Sequence, residues 1–391
     1  MTDSSSPRDI IVHVFGRTDV GRTREHNEDC FVVADLTTMN ATLQPEVREH
    51  RPGKRGSLFM VADGMGGAAA GEVASQMATE VVLDALDASW RNVPSTDADT
   101  FANALRKAVE SANTRIHRYA LDHPENRGMG TTTTIAGVLE DRVYLCQVGD
   151  SRGYLVRKGS AIQVTKDQSL VQRLIDAGEL TVEEAETSER RNIILQALGP
   201  EAQVKVDLTT QQLRRGDTLV LCSDGMSGQM RPADISRIVT EQSPDLMATC
   251  KALIDLANEN GGPDNITVIV ARFEGDGLEP PEHSDFVGHQ PYVSPAEARA
   301  TLPVSAATIE QSMQDAALLE MSLVTTAENE IPVAPNHEAA GGARSTTPLA
   351  PAPAVNTPRL SAAQWRQVRT VFIGVTVIVA AWVIWAYLIK G

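Results

Sequence analysis

The sequence predicts an α+β fold in which sheets and helices form separate layers, and two observations support this class. Apolar runs of strand length follow one another directly, at 131–139, 142–148 and 152–157. Two long amphipathic stretches, 71–90 and 99–121, repeat apolar residues at helical spacing. A doubly wound parallel sheet requires strict alternation of strands and helices, so the sequence disfavours it.

The same periodicities predict the other elements in chain order. Further strands are expected at 10–15, 30–35, 57–62, 217–223 and 265–273, and further helices at 168–177, 232–240 and 245–260.

Composition limits the classes of function. The chain has 391 residues, of which 42% are hydrophobic, enough for one large core or two ordinary ones. A net charge of −16 disfavours a surface for nucleic acid. The four cysteines (Cys30, Cys146, Cys222 and Cys250) lie far apart and include no C-x-x-C pair, which predicts reduced thiols rather than disulfides or a zinc site.

The composition divides the chain into a folded body and a C-terminal tail. Residues 9–274 carry the alternating apolar and amphipathic runs, whereas residues 275–369 are rich in Pro, Ala and small polar residues. Such a composition buries too little apolar surface to fold, so we expect a flexible or semi-extended linker. Within it, residues 305–323 have helical apolar spacing, typical of either a transient helix or a partner-docking helix.

Residues 370–389 predict a transmembrane helix. The stretch is uncharged, and at ~1.5 Å rise per residue it spans the ~30 Å hydrocarbon core. Arg366 and Arg369 precede it, and the polar start of the chain lacks the apolar segment of a signal peptide. We therefore expect a single-pass anchor that holds the body on the cytoplasmic side of the cytoplasmic membrane; the alternative is a buried core helix.

Several of the predicted strands end or begin at an aspartate beside glycine. Asp63, Asp150 and Asp224 follow apolar runs, and Asp264 precedes one. Each alone is typical of an ordinary turn, but together they predict carboxylates that converge at one end of a sheet. Oxygen ligands without His or Cys favour Mg²⁺ or Mn²⁺. A nucleotide loop is disfavoured because the segment around Asp63 lacks the lysine of a P-loop.

Arg24 and Glu28 lie four residues apart in a polar segment before a strand. Two interpretations are open. The two residues form a surface ion pair, or Arg24 binds phosphate through its guanidinium group while Glu28 is a carboxylate near the metal.

Six motifs, in order, resemble the metal-dependent Ser/Thr protein phosphatases of the PP2C type, in their bacterial branch: TREHNED, VADGMGGAAAGE, GMGTTTT, VGDSRGYLVRKG, SDGMS and GGPDNITVIV. The resemblance covers residues 9–274. It implies an αββα sandwich, with two antiparallel β-sheets packed face to face, helices outside and the metal site at one end. It also implies a flap subdomain over residues 166–199, beside the active site.

The resemblance implies two or three Mn²⁺ or Mg²⁺ ions. Asp63 would bridge two ions, and the carbonyl of Gly64 would bind one of them. Asp224 and Asp264 would complete the first ion, and Glu28 would act through water.

Further roles follow from the same resemblance. Asp150 would hold a third, weaker ion, and Arg24 would bind the phosphoryl oxygens. Met65 stands where some relatives have a histidine, and a thioether donates no proton. His26 is therefore either the acid or an exposed loop residue.

The implied activity is hydrolysis of phosphoserine and phosphothreonine by a hydroxide that bridges two metal ions. The implied partners are phosphorylated proteins, including Ser/Thr kinases and their substrates, and the membrane through the C-terminal helix, without nucleic acid. Two alternatives remain: a pseudophosphatase that only binds phosphoproteins, and a hydrolase of small phosphate esters. The retained carboxylates favour an active enzyme.

Overall fold

The computed structural model describes residues 9–41, 49–66 and 70–294. The strands are β1 Ile11–Asp19, β2 Asp29–Asp35, β3 Glu49–His50, β4 Ser57–Met65, β5 Gly130–Thr131, β6 Thr133–Leu139, β7 Arg142–Val148, β8 Arg152–Arg157, β9 Ser160–Gln163, β10 Asp207–Gln212, β11 Thr218–Cys222 and β12 Ile266–Glu274. The α-helices are α1 Ala70–Leu86, α2 Ala98–Asp122, α3 Leu170–Asp176, α4 Val182–Thr187, α5 Asp224–Ser227, α6 Pro232–Gln242 and α7 Leu246–Glu259.

The strands form two antiparallel sheets. The first has the order β3-β1-β12-β11-β8-β9, and the second has the order β10-β7-β6-β4-β2, with β5 paired to β4. Side chains such as Phe59 and Leu145 from the second sheet meet Leu221 and Phe273 from the first in a fully buried core. The sheets therefore pack face to face.

Helices cover the outer face of each sheet. Trp90, Phe101 and Leu105, from α2 and the end of the α1 segment, are buried against the second sheet. Ile235 of α6 and Leu253 of α7 are buried against the first. The expectation of two antiparallel sheets flanked by helices is confirmed.

Helix α2 shows how the sequence specifies an outer layer. The Asp97 side chain accepts a hydrogen bond from the backbone N–H of Thr100 at 2.9 Å and so caps the helix. Phe101, Leu105 and Ile116 belong to its buried face, at the spacing that places side chains on one stripe.

The sequence patterns missed several short elements, among them β3, α5 and the three described next. Strand β10 reads DLTTQQ and has no apolar alternation, β9 is a short exposed edge strand, and α4 follows α3 closely. Strand β10 exists because its backbone pairs with β7 from Asp207↔Gln147 to Gln212↔Arg142. Long-range pairing outweighs local preference here.

Residues 275–294, here called the C-terminal strap, pack on the body. Leu278 is 1% exposed and joins the core between the sheets. The N–H of Thr210 donates to the Gln290 carbonyl at 3.0 Å, and the N–H of Tyr292 donates to Leu208 at 2.8 Å, so the strap covers the edge of β10. The prediction that a linker begins at residue 275 is therefore wrong for residues 275–294. A few scattered apolar residues anchor this segment, although its average composition predicts no packing on the body.

The remaining tail predictions lie outside the described residues. These are the linker beyond residue 294, the helical pattern at 305–323 and the transmembrane helix at 370–389. No helix in the described ranges has the length and apolarity that crossing a membrane requires.

Candidate active site

Most of the residues marked by the sequence line one cavity of about 400 Å³ at one end of the sandwich, and Asp150 is not among them. It is lined by Arg24, Glu25, His26, Glu28, Asp63, Gly64, Met65, Gly66, Asn192, Ile194, Asp224 and Asp264. Both sheets contribute, because strand β4 carries Asp63, Asp224 follows β11 and Asp264 precedes β12.

Asp63 is fixed by its backbone. It lies opposite Asp29 in the register of β2 and β4. Its carbonyl accepts bonds from the N–H of Thr132 at 2.8 Å and the hydroxyl of Thr131 at 2.9 Å. Its own N–H donates to the Thr132 hydroxyl at 3.2 Å. The threonine-rich motif thus holds the carboxylate in place.

Two glycines allow the start of α1 to approach the site closely. A Cβ at Gly64 would lie 2.3 Å from the Gly71 carbonyl oxygen and 2.5 Å from that of Glu28. A Cβ at Gly71 would lie 2.8 Å from the Glu28 carboxyl carbon. A side chain at either position would displace Glu28 from the cavity.

The first sheet brings Asp224 and Asp264 to the same cavity. Asp224 begins the short helix α5 after β11, and Asp264 lies just before β12. A Cβ at Gly225 would lie 2.0 Å from the Asn265 carbonyl oxygen, so the two loops touch through this glycine. Because β11 and β12 are antiparallel neighbours, the end of one meets the start of the other.

Asp150 is 6% exposed and is not one of the residues that line this cavity. It follows Gly149, whose φ of 102° turns the chain after β7. Among the residues described, its buried Oδ1 atom has no hydrogen-bond partner. An unsatisfied buried carboxylate oxygen is costly unless a proton or a cation satisfies it.

The clustered acids raise one another's pKa. The pKa of Asp63 lies well above its usual range, first because of burial and then because of Asp29 and Asp224. Burial raises the pKa of Asp150 to about 7, with Asp224 adding to it, and burial followed by Asp264 raises the pKa of Asp224. Divalent cations would stabilise the ionised form of all of these groups. The oxygen-rich set therefore fits Mn²⁺ or Mg²⁺.

Asp29 is a site residue that the sequence reasoning missed. It lies beside Asp63, and burial raises its pKa to about 7 although two hydroxyl donors oppose the shift. These donors are Ser223 Oγ at 2.8 Å, from the residue directly after β11, and Thr267 Oγ1 at 2.7 Å, from β12 of the first sheet. Asp29 therefore joins the two sheets behind the cavity. Its position next to Glu28, at the start of a strand, was the available signal.

Arg24 stands at the mouth of the cavity with 49% of its side chain exposed. Its Nη2 donates to Asp264 Oδ2 at 2.7 Å, and this carboxylate is the largest cause of the raised Arg24 pKa. Burial raises the pKa of Glu28, and the nearby Arg24 charge partly offsets this. Of the two alternatives for Arg24 and Glu28, the surface ion pair is not what forms among the described residues, because Arg24 pairs with Asp264.

Within the described ranges, no three His, Cys, Asp or Glu side chains are arranged to hold a metal ion as they stand. Asp264 Oδ2 is instead paired with Arg24 Nη2 at 2.7 Å, and this contact occupies an oxygen that a divalent ion would use.

Comparison with known proteins decides the family. The model of the family described as Protein phosphatase 2C matches residues 47–263, more than half of the chain. The chain belongs to the protein phosphatase 2C family. The resemblance inferred from the six motifs is confirmed.

Relatives of the phosphatase include the serine/threonine phosphatase stp of Listeria innocua, which is 38% identical over 66% of this chain and 95% of its own. The structure of the S. agalactiae serine/threonine phosphatase is 32% identical, covers 67% of this chain and 99% of that one, and has a TM-score of 0.58. A third, the catalytic domain of PstP in complex with two manganese ions, is 36% identical over 68% and 99% of the chains, with a TM-score of 0.54. These relatives identify the chain as a protein serine/threonine phosphatase.

Other parts of the phosphatase complete the site. Asn192 and Ile194, in the predicted flap of residues 166–199, line the cavity beside the exposed His26. Burial raises the pKa of Cys222 to about 12, so this thiol stays protonated and is a poor nucleophile.

Proposed function

We propose that the phosphatase uses Mn²⁺ or Mg²⁺ to hydrolyse phosphoserine and phosphothreonine in proteins. One observation carries the proposal: carboxylates from both sheets converge on a single cavity that has a half-exposed arginine at its mouth. The PstP complex with manganese supports the choice of metal.

We assign the metal ligands residue by residue. Asp63, the Gly64 carbonyl, Asp224 and Asp264 would hold the ions. Glu28 would act through water. Bound ions would serve as Lewis acids and lower the pKa of water towards neutrality.

Asp150 together with Asp224 would hold a third, more weakly bound ion. The unpartnered Asp150 Oδ1 atom supports this role among the described residues.

The protein's own residues bind and orient the phosphate. Arg24 offers a planar fork at the mouth, where a phosphoryl group can replace Asp264 as its partner. Its charge would stabilise the negative charge that builds up on the equatorial oxygens during in-line attack. Asp29 holds the two sheets together behind the site by accepting hydrogen bonds from Ser223 and Thr267.

The test uses residues 1–294 and a phosphothreonine peptide. We expect phosphate release with Mn²⁺, and loss of release with chelator or in Asp224→Asn. A folded domain that binds the peptide and Mn²⁺ without turnover would refute the proposal and favour the phosphoprotein-binding module. Equal kcat/KM on the peptide and on a small phosphate ester would favour the alternative of a small-ester hydrolase.

We further propose that the phosphatase is tethered to the cytoplasmic membrane by residues 370–389, where it opposes Ser/Thr kinases. The uncharged length of this stretch and the preceding Arg366 and Arg369 support the anchor. The full chain should sediment with membranes, and a chain lacking residues 365–391 should stay in the supernatant with unchanged turnover. Equal partition of both chains would refute the tether.

A further inference from the structure

The loop of residues 20–28, here called the Arg24 loop, joins β1 to β2 and contains no strand or helix. It carries both Arg24 and Glu28. A loop of this kind has no ladder of backbone hydrogen bonds to fix it, so its position depends on contacts with other elements. A functional arginine on such a loop needs supporting contacts to hold its geometry.

One buried side chain supplies three such contacts. Asn265, which is 4% exposed, follows Asp264 directly. Its Nδ2 donates to the Val20 carbonyl at 2.9 Å and to the His26 carbonyl at 2.9 Å. Its Oδ1 accepts from the N–H of Glu28 at 2.8 Å. These bonds hold the loop on both sides of Arg24 and at Glu28.

The chemistry of these contacts requires an amide. A carboxamide offers two N–H donors and a carbonyl acceptor on one planar group, and both types of atom are used here. A carboxylate could accept from Glu28 but could not donate to the two carbonyls. An apolar side chain would leave three backbone groups without these partners.

Asn265 also lies where three parts of the site meet. Its backbone follows Asp264, its carbonyl faces Gly225 beside Asp224, and its side chain holds the Arg24 loop. Displacing this one side chain would therefore change the position of Arg24 relative to the carboxylates.

We propose that Asn265 is a positioning residue that sets the Arg24 loop against the carboxylate cluster. The proposal rests on the proposed role of Arg24 in binding phosphate. It assigns no contact between Asn265 and the substrate: Asn265 acts through Arg24 and Glu28.

The test compares Asn265→Ala with a matched control, Asn113→Ala. Asn113 is 1% exposed and also holds a loop, donating to the Glu201 carbonyl at 3.1 Å and accepting from the N–H of Gly199 at 2.8 Å. Both variants lose buried amide bonds, and only Asn265 touches the Arg24 loop.

Hydrogen exchange without added metal gives the first readout. We expect faster exchange of peptides covering residues 20–28 in Asn265→Ala and wild-type exchange there in Asn113→Ala. Wild-type exchange of this loop in Asn265→Ala would overturn the proposal, whatever happens to activity.

Kinetics give the second readout. We expect Asn265→Ala to raise both the KM for a phosphothreonine peptide and the Ki for inorganic phosphate by ~10- to 100-fold, a range typical of residues that orient a metal site. The Asn113→Ala variant should leave both constants unchanged. A fall in kcat alone, with KM and Ki unchanged, would refute a role through Arg24.

A double-mutant cycle separates this proposal from the proposed function. In an Arg24→Ala background, Asn265→Ala should add little to the phosphate Ki. The same fold increase with and without Arg24 would overturn the coupling. An unchanged Ki in Arg24→Ala alone would instead refute the role of Arg24, and hydrogen exchange would still decide whether Asn265 holds the loop.

Discussion

Replacing Leu278 by alanine tests whether the C-terminal strap belongs to the folded body. Leu278 is 1% exposed and packs in the core between the two sheets. Removing a buried leucine side chain typically costs ~3 kcal/mol, because apolar contacts are lost and a cavity remains. For a domain of this size, that cost should lower Tm by ~6–12 °C.

The control for this prediction lies in the same strap. Phe286 is 64% exposed, so Phe286→Ala should change the free energy of unfolding by less than ~0.5 kcal/mol. Thermal and urea unfolding of residues 1–294 would measure both variants. If Leu278→Ala were as neutral as Phe286→Ala, the strap would behave as a detached linker and the reasoning would fail.

Three further predictions concern the site. Asp63→Asn should abolish turnover, and near-wild-type turnover would refute the assignment of Asp63 as a metal ligand. In chelator the variant should unfold at the wild-type temperature or higher, because the substitution removes a buried like charge. Arg24→Ala should raise KM more than it lowers kcat if it chiefly binds phosphate, which steady-state kinetics on a phosphothreonine peptide would show. In chelator, the free energy of unfolding measured in urea should fall as pH rises from about 4 to about 7. Folding raises the pKa of Asp29 and Asp150 from 3.8 to about 7. Between these pH values the folded state therefore binds more protons than the unfolded chain, and raising the pH destabilises it. Asp29→Asn should flatten part of this slope, and a slope of the same size in the variant would contradict the role given to Asp29.

Local sequence patterns were enough to predict much of the fold. The spacing of Phe101, Leu105 and Ile116 predicted α2, and the apolar run ending at Asp63 predicted β4. Both signals reside in neighbouring residues, which is why they can be read without a structure. Strand β10 has no such signal, because its stability comes from pairing with β7, far away along the chain.

The site shows the same division. The sequence marked Asp63, Asp224 and Asp264 because each lies at or near a strand end, next to a glycine or two residues from one, which is a local feature. It did not reveal that Arg24 pairs with Asp264, whose position lies 240 residues away along the chain.

The sequence by itself determined the class of fold, the family and the identity of the carboxylates at the strand ends, because periodicity and motif spacing are properties of consecutive residues. Only the tertiary structure decided the place of Asp29 between the sheets, the three contacts of Asn265 with the Arg24 loop and the docking of Leu278 in the core. Each of these depends on distances between residues that are remote in the chain, and such distances are fixed only when the two sheets pack.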